Sequence, residues 1–437
     1  MKILIKDGYI IDPSQEFDGV GDILIEDGKI KEVALQKAPH YLPLTKEGKR
    51  GGNDPEPRII NAKGLIIMPG LIDMHVHLRE PGFEYKESIQ TGTMAAVKGG
   101  FTTVCCMPNT FPVNDNASVT EFIKRKASQE GHCAVLPIGA ITKEQKGGEL
   151  AEIGTMRNEG CIAFSDDGQP VMNSLIMRRA LEYSKSFDVP IISHSEDLTL
   201  SEDGVMNEGV ISVTLGLKGI PVEAEQIMIF RDILLAELTG GRLHIAHVST
   251  EGSVNLIRNA KNRGANVTAE TCPHYFSLTE DAVQGYNTNA KVNPPLRTAR
   301  DIAAIKKGLK DGTIDVIATD HAPHHRDEKM REFDSAPFGI SGLETAIGLS
   351  LRLVQEGILS LRQLIEKMTL NPAKILRIQK GTLRAGMDAD ILVVDEKKEY
   401  TVHAERFISK GKNTPFEGWE LRGSPVLTMY KGKIYEW

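Results

Sequence analysis

The sequence is short of aromatic residues, basic runs and long apolar runs, and each shortage excludes a class of protein. Aromatic residues make up 5% of the 437 residues, basic residues never occur more than three in a row, and the net charge is −7. This charge pattern offers no surface for phosphate backbones or anionic lipids. No apolar run approaches the ~18 residues that suggest a membrane-spanning helix. We therefore expect no nucleic-acid partner and no membrane insertion.

Cysteine is scarce as well. The cysteines show no CxxC spacing, and most lie inside apolar, strand-like segments, which is typical of reduced core thiols in a cytosolic protein. The first residues, MKILIKDGYIID, alternate like a strand and show no charged start, apolar block and cleavage site. We expect a cytoplasmic location. The five cysteines are Cys105, Cys106, Cys133, Cys161 and Cys272.

The pattern of the chain changes twice along its length. Residues 1–67 contain short β-like runs with DG pairs at turn positions, and the tail from about Gly381 returns to this style. Residues 36–57 are rich in proline, glycine and charge, which predicts an exposed loop. We expect residues 1–67 and 376–437 to form one small β-sandwich domain, with a separate domain over residues 68–375.

The central segment alternates apolar strands with amphipathic helices. One such helix, EAEQIMIFRDILLAELTGG, ends in glycine, as helices often do. Eight βα repeats predict an α/β fold, the (β/α)8 barrel. A doubly wound open sheet is the alternative, but no GxGxxG pattern follows a strand. The strand candidates are GLIDMHVHL, FTTVCCMP, AVLPIGAI, CIAFSDDG, PIISHSE, RLHIAHVS, NVTAETCP and DVIATDHAP.

The first of these strands carries an H-x-H pair followed by arginine. Because side chains alternate along a strand, Asp73, His75, His77 and Arg79 share one face, and the apolar residues between them share the other. In a barrel, the apolar face packs under the helices, and the polar face points into the mouth where catalysis occurs. Two neutral imidazoles on that face can bind one divalent metal.

A single H-x-H pair is weak evidence, since such histidines often have only a structural role. Four further strands, however, end in possible ligands. Four histidines and two carboxylates at one mouth predict a two-metal hydrolytic site that holds zinc or a similar ion. The additional candidates are Asp166, Asp167, His194, His247, Asp320 and His324.

Taken in order, the motifs resemble a known family. PGLIDMHVHLREPG, MPNT, SDDG, SHSED, HVST, KVNPPLR, TDHAPH and FGISGLET are similar to those of the class I dihydroorotases of the amidohydrolase superfamily, over nearly the whole chain. The related hydantoinases bridge their metals with a carboxylated lysine near the end of the fourth strand, but CIAFSDDG has no lysine. The resemblance implies an aspartate bridge, and the spacing favours Asp167 over Asp166.

The resemblance also implies roles for the strand-end residues. One zinc ion would be held by His75, His77 and Asp320, and the second by His194 and His247, with Asp167 between them. Asp320 would also transfer the proton in catalysis. The implied contacts to the free carboxylate of the substrate are Arg79, Asn109 and His324. The implied contacts near its ring and the metals are Asn293, Phe338, Gly339, His77 and Leu78.

Several of these residues also have structural explanations. Asn109 follows Pro108 and could be only a turn residue, and the charged segment 324–334 could be ordinary solvated surface or cover the mouth. His244, on the face opposite His247, is expected to pack or hydrogen-bond beneath a helix. Asp73 is expected to be a structural or supporting carboxylate. The other histidines are interpreted as supporting, surface or core residues: His274, His321, His40, His132 and His403.

The implied reaction is the reversible cyclisation of N-carbamoyl-L-aspartate to (S)-dihydroorotate and water, in pyrimidine biosynthesis. A hydantoinase or allantoinase is the alternative enzyme, but Arg79 argues against a neutral cyclic substrate. A non-catalytic scaffold for aspartate transcarbamoylase is the alternative without catalysis, although such a protein is expected to have lost metal ligands. We expect a small-molecule substrate and a homo-oligomer, with aspartate transcarbamoylase as a candidate partner.

Overall fold

The computed structural model of the protein describes residues 1–36 and 56–437, and strands and helices are numbered here in chain order. The loop predicted over residues 36–57, with His40, lies outside the described residues except at its two ends. The strands near the chain ends are β1 (Lys2–Asp12), β2 (Phe17–Glu26), β3 (Lys29–Leu35), β4 (Arg58–Asn61), β5 (Ile66–Pro69), β16 (Ile391–Thr401), β17 (Glu420–Tyr430) and β18 (Lys433–Glu436). The strands between them are β6 (Leu71–Val76), β7 (Phe101–Cys106), β8 (Ala134–Gly139), β9 (Ala163–Ser165), β10 (Ile191–Ser193), β11 (Met206–Asn207), β12 (Gly219–Ile220), β13 (Leu243–Ile245), β14 (Val267–Thr271) and β15 (Val316–Ile317).

Helices follow the central strands. The α-helices are α1 (Ile89–Lys98), α2 (Ala117–Glu130), α3 (Ile153–Glu159), α4 (Ser174–Ser184), α5 (Leu198–Ser201), α6 (Val210–Leu215), α7 (Glu223–Thr239), α8 (Glu251–Asn262), α9 (Pro273–Ser277), α10 (Ala299–Asp311), α11 (Arg326–Lys329), α12 (Ala346–Gln355), α13 (Leu361–Met368) and α14 (Leu370–Leu376). Short 3-10 helices lie at Pro13–Gln15, Lys143–Gln145, Lys185–Phe187, Glu280–Val283, Thr288–Ala290 and Ala404–Arg406. Within the described residues, no helix has both the length and the apolar character needed to cross a membrane.

Both ends of the chain contribute to one mixed β-sheet, as the sequence predicted. The strand order is β18-β17-β16-β5-β1-β2-β3, and β4 lies beside β1. The two ends meet where β16 runs antiparallel to β5, with Ile391 opposite Pro69. Residues from both ends, such as Ile3 and Met429, share one apolar cluster against this sheet. The association of the two ends in a β domain is therefore confirmed.

The central strands form the predicted (β/α)8 barrel. All eight candidate strands are present as parallel neighbours, in the order β15-β14-β13-β10-β9-β8-β7-β6. The ring closes where Val76 pairs with His321, and the His77 backbone N–H donates to the His321 carbonyl at 2.9 Å. A closed ring of parallel strands excludes the doubly wound open sheet.

An apolar cluster fills the barrel interior. It contains Met74, Cys105 and Ile192 from β6, β7 and β10, together with residues of α14. Because these strands lie around the ring, their shared cluster must be inside it. The prediction that the apolar residues of β6 all pack under helices is therefore wrong for Met74. The pairing of β6 with β7 shifts register between Asp73 and Val76, which breaks the strict alternation of faces.

One buried carboxylate ties the two ends of the chain together. Asp12, at the end of β1, accepts hydrogen bonds from the backbone N–H of Leu383 at 2.7 Å and from the Thr382 hydroxyl at 3.0 Å. It also accepts from the Ser14 backbone N–H at 2.9 Å and from the Gln15 side chain at 2.7 Å. Asp12 and Leu383 are both fully buried, so the Leu383 N–H has no water that could replace the carboxylate.

We expect Asp12→Ala to destabilise the protein by about 1–3 kcal/mol, because it leaves the buried Leu383 N–H without an acceptor. The shift of the urea unfolding midpoint, followed by circular dichroism, measures the effect. Asp18→Ala, at an exposed position of β2, is the control and should change stability by no more than ~0.5 kcal/mol. Equal midpoints for the two variants would contradict this role of Asp12.

Candidate active site

The carboxyl ends of five barrel strands bring the predicted ligands together. Each of these residues is at most 5% exposed although all six are polar or ionisable. The six are His75 near the end of β6, His77 directly after β6, Asp167 after β9, His194 after β10, His247 after β13 and Asp320 after β15. His247 and Asp320 have φ angles of +34° and +47°, a strained backbone conformation that non-glycine residues adopt mainly at functional sites.

The ligand atoms converge in two overlapping groups. The ligand atoms of His75, His77 and Asp320 all lie within 4.8 Å of one another, and so do those of His75, Asp167 and His247. His194 joins the second group, because its Nδ1 lies 2.8 Å from Nε2 of His247 and 3.6 Å from Oδ1 of Asp167. The structure thus brings all six predicted metal ligands to one place.

Two atoms at the centre of this cluster are buried without a hydrogen-bond partner. They are Nε2 of His75 and Oδ1 of Asp167, which lie 3.2 Å apart. A buried polar atom left unpaired costs free energy, and nearly all such atoms in folded proteins find a partner. Imidazole nitrogens and carboxylate oxygens are the donors that zinc and similar divalent ions accept. The residues therefore fit a two-metal centre.

The neighbouring aspartates point in different directions. Asp166 accepts hydrogen bonds from the backbone N–H groups of Ile141 at 2.8 Å and Thr142 at 3.0 Å, and so fixes the loop after β8. The carboxylate of Asp167 lies 3.2–3.6 Å from nitrogens of His75, His77, His194 and His247. Only Asp167 has the position that a bridging ligand requires.

Electrostatics keeps Asp167 ionised. Burial alone would raise the pKa of this carboxylate. The charge on His75 and the close approach of the surrounding imidazoles outweigh burial, and the pKa of Asp167 is held well below its usual range. The carboxylate of Asp167 is therefore ionised at neutral pH.

Three of the four ligand histidines are oriented by a polar partner on the other ring nitrogen. Oε1 of Glu270 lies 2.7 Å from Nδ1 of His75, and Oε2 of Glu196 lies 3.1 Å from Nε2 of His194. The amide oxygen of Asn109 accepts from Nδ1 of His77 at 2.9 Å. Such partners fix the tautomer so that the opposite nitrogen faces the metal.

Sequence reasoning missed Glu270 and Glu196. A buried glutamate within the apolar strand NVTAETCP was a usable signal, because a charge there must have a partner. Oε2 of Glu270 also lies 3.2 Å from Nε2 of His244, so that residue supports the site from inside the barrel. The prediction that His244 lies beneath a helix is wrong. β13 ends at Ile245, and side chains beyond the end of a strand no longer alternate regularly between its two faces. The orientation of His247 therefore does not predict the face on which His244 lies.

The Arg79 guanidinium is held at the mouth by its inner nitrogen. Nε donates to the Pro323 carbonyl at 3.2 Å, and no carboxylate of the described residues forms an ion pair with it. Burial lowers the pKa of Arg79 to about 10, so the group is still a cation at neutral pH. It is a partly buried positive charge without an ion-pair partner among the described residues, which is the arrangement expected for binding an anionic ligand.

His324 leaves the outer nitrogens of Arg79 available. The Lys86 ammonium lies 3.4 Å from Nδ1 of His324 and can only donate, so Nδ1 must accept. Nε2 then carries the proton and donates to the Phe338 carbonyl at 2.8 Å. Nη2 of Arg79, 3.3 Å from that Nε2, faces a second donor and gains no hydrogen bond there.

The segment after β15 is fastened to the barrel by two lysines. The ammonium of Lys291 donates to the Phe333 carbonyl at 2.7 Å and lies 4.6 Å from the centre of the Phe338 ring. The ammonium of Lys329 is buried and donates to the Pro337 carbonyl at 2.8 Å. Gly339 has a φ angle of +143°, and a Cβ there would lie 2.7 Å from the Ala322 carbonyl. Segment 324–334 is therefore partly buried and is not simply solvated surface.

Two predicted substrate contacts, Leu78 and Asn293, have side chains that contact other residues of the protein. Leu78 packs against α1, since a Cβ on Gly92 would lie 2.6 Å from its Cδ2, so its side chain points away from the mouth. The amide of Asn293 donates to Glu196 at 2.9 Å, which leaves its carbonyl oxygen for another partner.

The remaining polar candidates are supporting or peripheral. Asp73 accepts from the backbone N–H groups of His75 and Thr319, and burial raises the pKa of Asp73 to about 7. His321 accepts from the Gly342 N–H at 3.1 Å. Burial lowers the pKa of His274 to about 4, which keeps that ring neutral. His132 contacts the Tyr435 hydroxyl, and His403 is exposed.

We expect Glu270→Gln to weaken binding of divalent metal by ~10–100-fold, because His75 loses a charged acceptor while the shape of the side chain is kept. Competition with a chromophoric chelator measures this affinity without reference to activity. Glu344→Gln is a matched control, since Glu344 is a buried acceptor for the Ile408 and Ser409 N–H groups and contacts no ligand residue. Equal affinities for the two variants would show that Glu270 does not orient His75.

Comparisons with known proteins agree with this geometry. A family model described as dihydro-orotase-like matches residues 64–253. The solved L-hydantoinase (dihydropyrimidinase) from Arthrobacter aurescens superimposes with a TM-score of 0.85 and 28% identity, over 99% of this chain and 95% of that one. The dihydropyrimidinase from Brevibacillus agri, at a TM-score of 0.84 and 23% identity over the same shares, shows the same fold.

Similarity to curated proteins is stronger still. Dihydroorotases from Geobacter metallireducens and Geobacter sulfurreducens are 57% and 58% identical to the chain, over 435 and 434 residues and 99% of each sequence. One from Acetivibrio thermocellus is 54% identical over 99% of this chain and 98% of its own. The resemblance drawn from the motifs is confirmed, and the chain belongs to the dihydroorotase family.

Proposed function

We propose that the protein catalyses the reversible cyclisation of N-carbamoyl-L-aspartate to (S)-dihydroorotate and water, in de novo pyrimidine biosynthesis. Full-length similarity to proteins named dihydroorotase supports this assignment. The observation that carries it is the partly buried guanidinium of Arg79, which forms no ion pair with a carboxylate of the described residues and lies two residues after the H-x-H pair. Both compounds have a free carboxylate for which this guanidinium is suited.

The proposed metal is zinc, two ions per chain. His75, His77 and Asp320 would hold one ion, His194 and His247 the other, and Asp167 would bridge them. The nitrogen and oxygen donor set and the two unpaired buried atoms support this assignment. When bound, the metals would supply Lewis acidity, which lowers the pKa of water toward ~7 and polarises an amide carbonyl.

Asp320 is the proposed proton carrier. In the hydrolytic direction, it takes the proton from the attacking water and gives it to the departing ring nitrogen, and cyclisation reverses these steps. Burial opposes its ionisation, but the charge on His75 and the hydrogen bond with His77 at 3.1 Å lower the pKa of Asp320. The carboxylate is therefore ionised and able to accept a proton at neutral pH.

The other mouth residues would bind and orient the substrate. Arg79 and Asn109, with His324, would hold the free carboxylate. Asn293, Phe338 and Gly339 would lie along the ring, and His77 and Leu78 would contact it near the metals, with Leu78 acting through its backbone because its side chain packs on α1. Fastening of segment 324–338 by lysines keeps the Phe338 and Gly339 backbone in a fixed position, which supports a role in substrate orientation.

The alternatives fit the site less well. Hydantoinases share the barrel, but a neutral cyclic amide would leave the partly buried Arg79 cation without an ion-pair partner. A non-catalytic scaffold would have no need for six converging ligands or the carboxylates behind them. We further propose a cytoplasmic, homo-oligomeric protein with aspartate transcarbamoylase as a candidate partner, and domain limits at residues 1–67, 68–375 and 376–437.

We expect Arg79→Met to lower kcat/KM for dihydroorotate hydrolysis, followed by ultraviolet absorbance, at least ten- to a hundredfold. Each charged hydrogen bond to the substrate carboxylate is worth ~1.5–3 kcal/mol, and about 1.4 kcal/mol corresponds to a tenfold change. Arg79→Lys should recover only part of the activity, since lysine keeps the charge but lacks the two-pronged geometry. Neither substitution should remove bound metal.

Two controls complete this experiment. Dihydrouracil, which lacks the carboxylate, should be a poor substrate that neither substitution changes, and a chelator should abolish wild-type turnover until zinc is restored. Wild-type efficiency of Arg79→Met on dihydroorotate would contradict anion recognition by Arg79. Turnover of dihydrouracil in preference to dihydroorotate by the wild type would favour a hydantoinase.

A further inference from the structure

The loop between β16 and β17 leaves the terminal sheet and lies against the barrel mouth. The Ser409 hydroxyl donates to the carboxylate of Glu87, in the loop after β6, at 2.6 Å. The backbone N–H of Ser341, in the chain after β15, donates to the Asn413 carbonyl at 2.8 Å. Residues 409–414, called the wall loop below, therefore form part of the wall around the proposed site.

The side chain of Asn413 is a buried amide that uses its whole hydrogen-bonding capacity. The residue is 3% exposed. Nδ2 donates to the Ala322 carbonyl at 3.0 Å and to the Gly339 carbonyl at 2.9 Å. Oδ1 accepts from the His324 backbone N–H and from the Ser341 hydroxyl, each at 3.0 Å. Two donated and two accepted hydrogen bonds are all that a primary amide can form.

The neighbours of this amide fix its orientation. The carbonyls of Ala322 and Gly339 can only accept, and the His324 backbone N–H can only donate. The NH2 group of Asn413 must therefore face the two carbonyls, and its oxygen must face His324. Aspartate has the same shape, but its second oxygen would lie against two carbonyl oxygens. Among natural side chains of this size, only the amide satisfies both sides.

The bonded residues flank groups that are proposed to bind the substrate. Ala322 and His324 enclose Pro323, whose carbonyl accepts from Nε of Arg79 at 3.2 Å. Gly339 lies where the chain returns to the barrel after segment 324–338. Asn413 therefore joins the start and the end of this excursion at a fixed spacing. In a site that orients a substrate, a displacement of about 1 Å can lower catalytic efficiency ~100-fold.

Gly411 brings the same loop close to Pro323. A Cβ on Gly411 would lie 2.4 Å from Cβ of Pro323 and 2.8 Å from Oδ1 of Asn413. Because a proline ring cannot rotate away, any side chain at this position would displace Pro323 or the wall loop. Glycine permits the close approach of the two backbones. The wall loop thus contacts the Arg79 support through packing as well as through hydrogen bonds.

We propose that Asn413 is a positioning residue for the substrate carboxylate. It fixes the backbone of His324 and Gly339 directly. Through Pro323 it also fixes the Arg79 guanidinium that would bind the anion. This inference rests on the proposed function and adds to it a residue from the C-terminal part of the chain. Within the described residues, the Asn413 side chain hydrogen-bonds to no proposed metal ligand, so metal binding is expected to be unchanged.

Steady-state kinetics of Asn413→Asp test the proposal. We expect KM for dihydroorotate to rise about tenfold and kcat to stay within about threefold, because carboxylate binding contributes equally to the ground state and the transition state. The kcat/KM for dihydrouracil, which has no carboxylate, should not change. Bound metal, measured by inductively coupled plasma mass spectrometry, should equal that of the wild type, and circular dichroism verifies folding.

Asn371→Asp is the matched control. The Asn371 amide lies in α14 and donates to the Asp315 carbonyl at 2.9 Å. Asp315 directly precedes β15, so this bond is at the end of the barrel opposite the mouth. The substitution removes an amide donor from a backbone carbonyl, as Asn413→Asp does, and should leave KM for dihydroorotate unchanged.

A double-mutant cycle with Arg79→Met separates positioning from a general loss of structure. Once the guanidinium is absent, Asn413→Asp should change kcat/KM for dihydroorotate by less than about threefold, since both substitutions act on the same contact. A general loss of structure would lower kcat/KM by the same factor in both backgrounds.

Gly411→Ala keeps the proposal testable if Asn413→Asp does not fold. It should raise KM for dihydroorotate by displacing Pro323, whereas Gly148→Ala, at an exposed glycine with open space around an added Cβ, should not. An unchanged KM in the folded variants, equal losses on both substrates, or an additive cycle would overturn the proposal. A wild type that does not hydrolyse dihydroorotate would instead contradict the proposed function, and this inference with it.

Discussion

The structure depends above all on one buried carboxylate among four imidazoles. Asp167 lies at the centre of the barrel mouth, with nitrogens of His75, His77, His194 and His247 within 3.2–3.6 Å of its oxygens. Such a concentration of polar groups is costly to bury unless something satisfies them all. A divalent metal would do so, and the convergence of the surrounding strand ends fits such a centre.

The ligand histidines also need neighbouring residues that hold their rings in a fixed orientation. Histidine binds metal through one nitrogen, so the other must be fixed, and Glu270, Glu196 and Asn109 do this for three of the rings. Glu270 is in turn held by His244 inside the barrel. The buried carboxylate of Glu270 therefore supports the metal ligands from the inner side of the mouth. Deeper in the barrel the interior is apolar, and Met74 and Cys105 contribute to it.

Two groups of side chains at the barrel mouth have different proposed tasks, according to their position and charge. The metal ligands and Asp320 would act on the amide, while Arg79, held by Pro323 and facing the protonated nitrogen of His324, would act on the carboxylate. Hydantoinases share the barrel at a TM-score of 0.85, so the fold alone does not choose the substrate. The choice rests on individual side chains at the ends of the strands.

Much of this was accessible from the sequence. The (β/α)8 barrel and the terminal β domain followed from periodicity, and the resemblance to dihydroorotases selected the six proposed ligands from the strand-end candidates. The environment of Met74 and His244 did not, because one register shift in β6 and the early end of β13 break the alternation on which the prediction depended. Glu270 was missed because its partners, His75 and His244, come from two other strands that only the closed barrel brings together.

The most direct test of the central claim is anomalous diffraction from crystals of the zinc-loaded protein. The account predicts two peaks, one on either side of Asp167, with His75, His77 and Asp320 around the first and His194 and His247 around the second. A single ion, or ions held by Asp166 in place of Asp167, would contradict it.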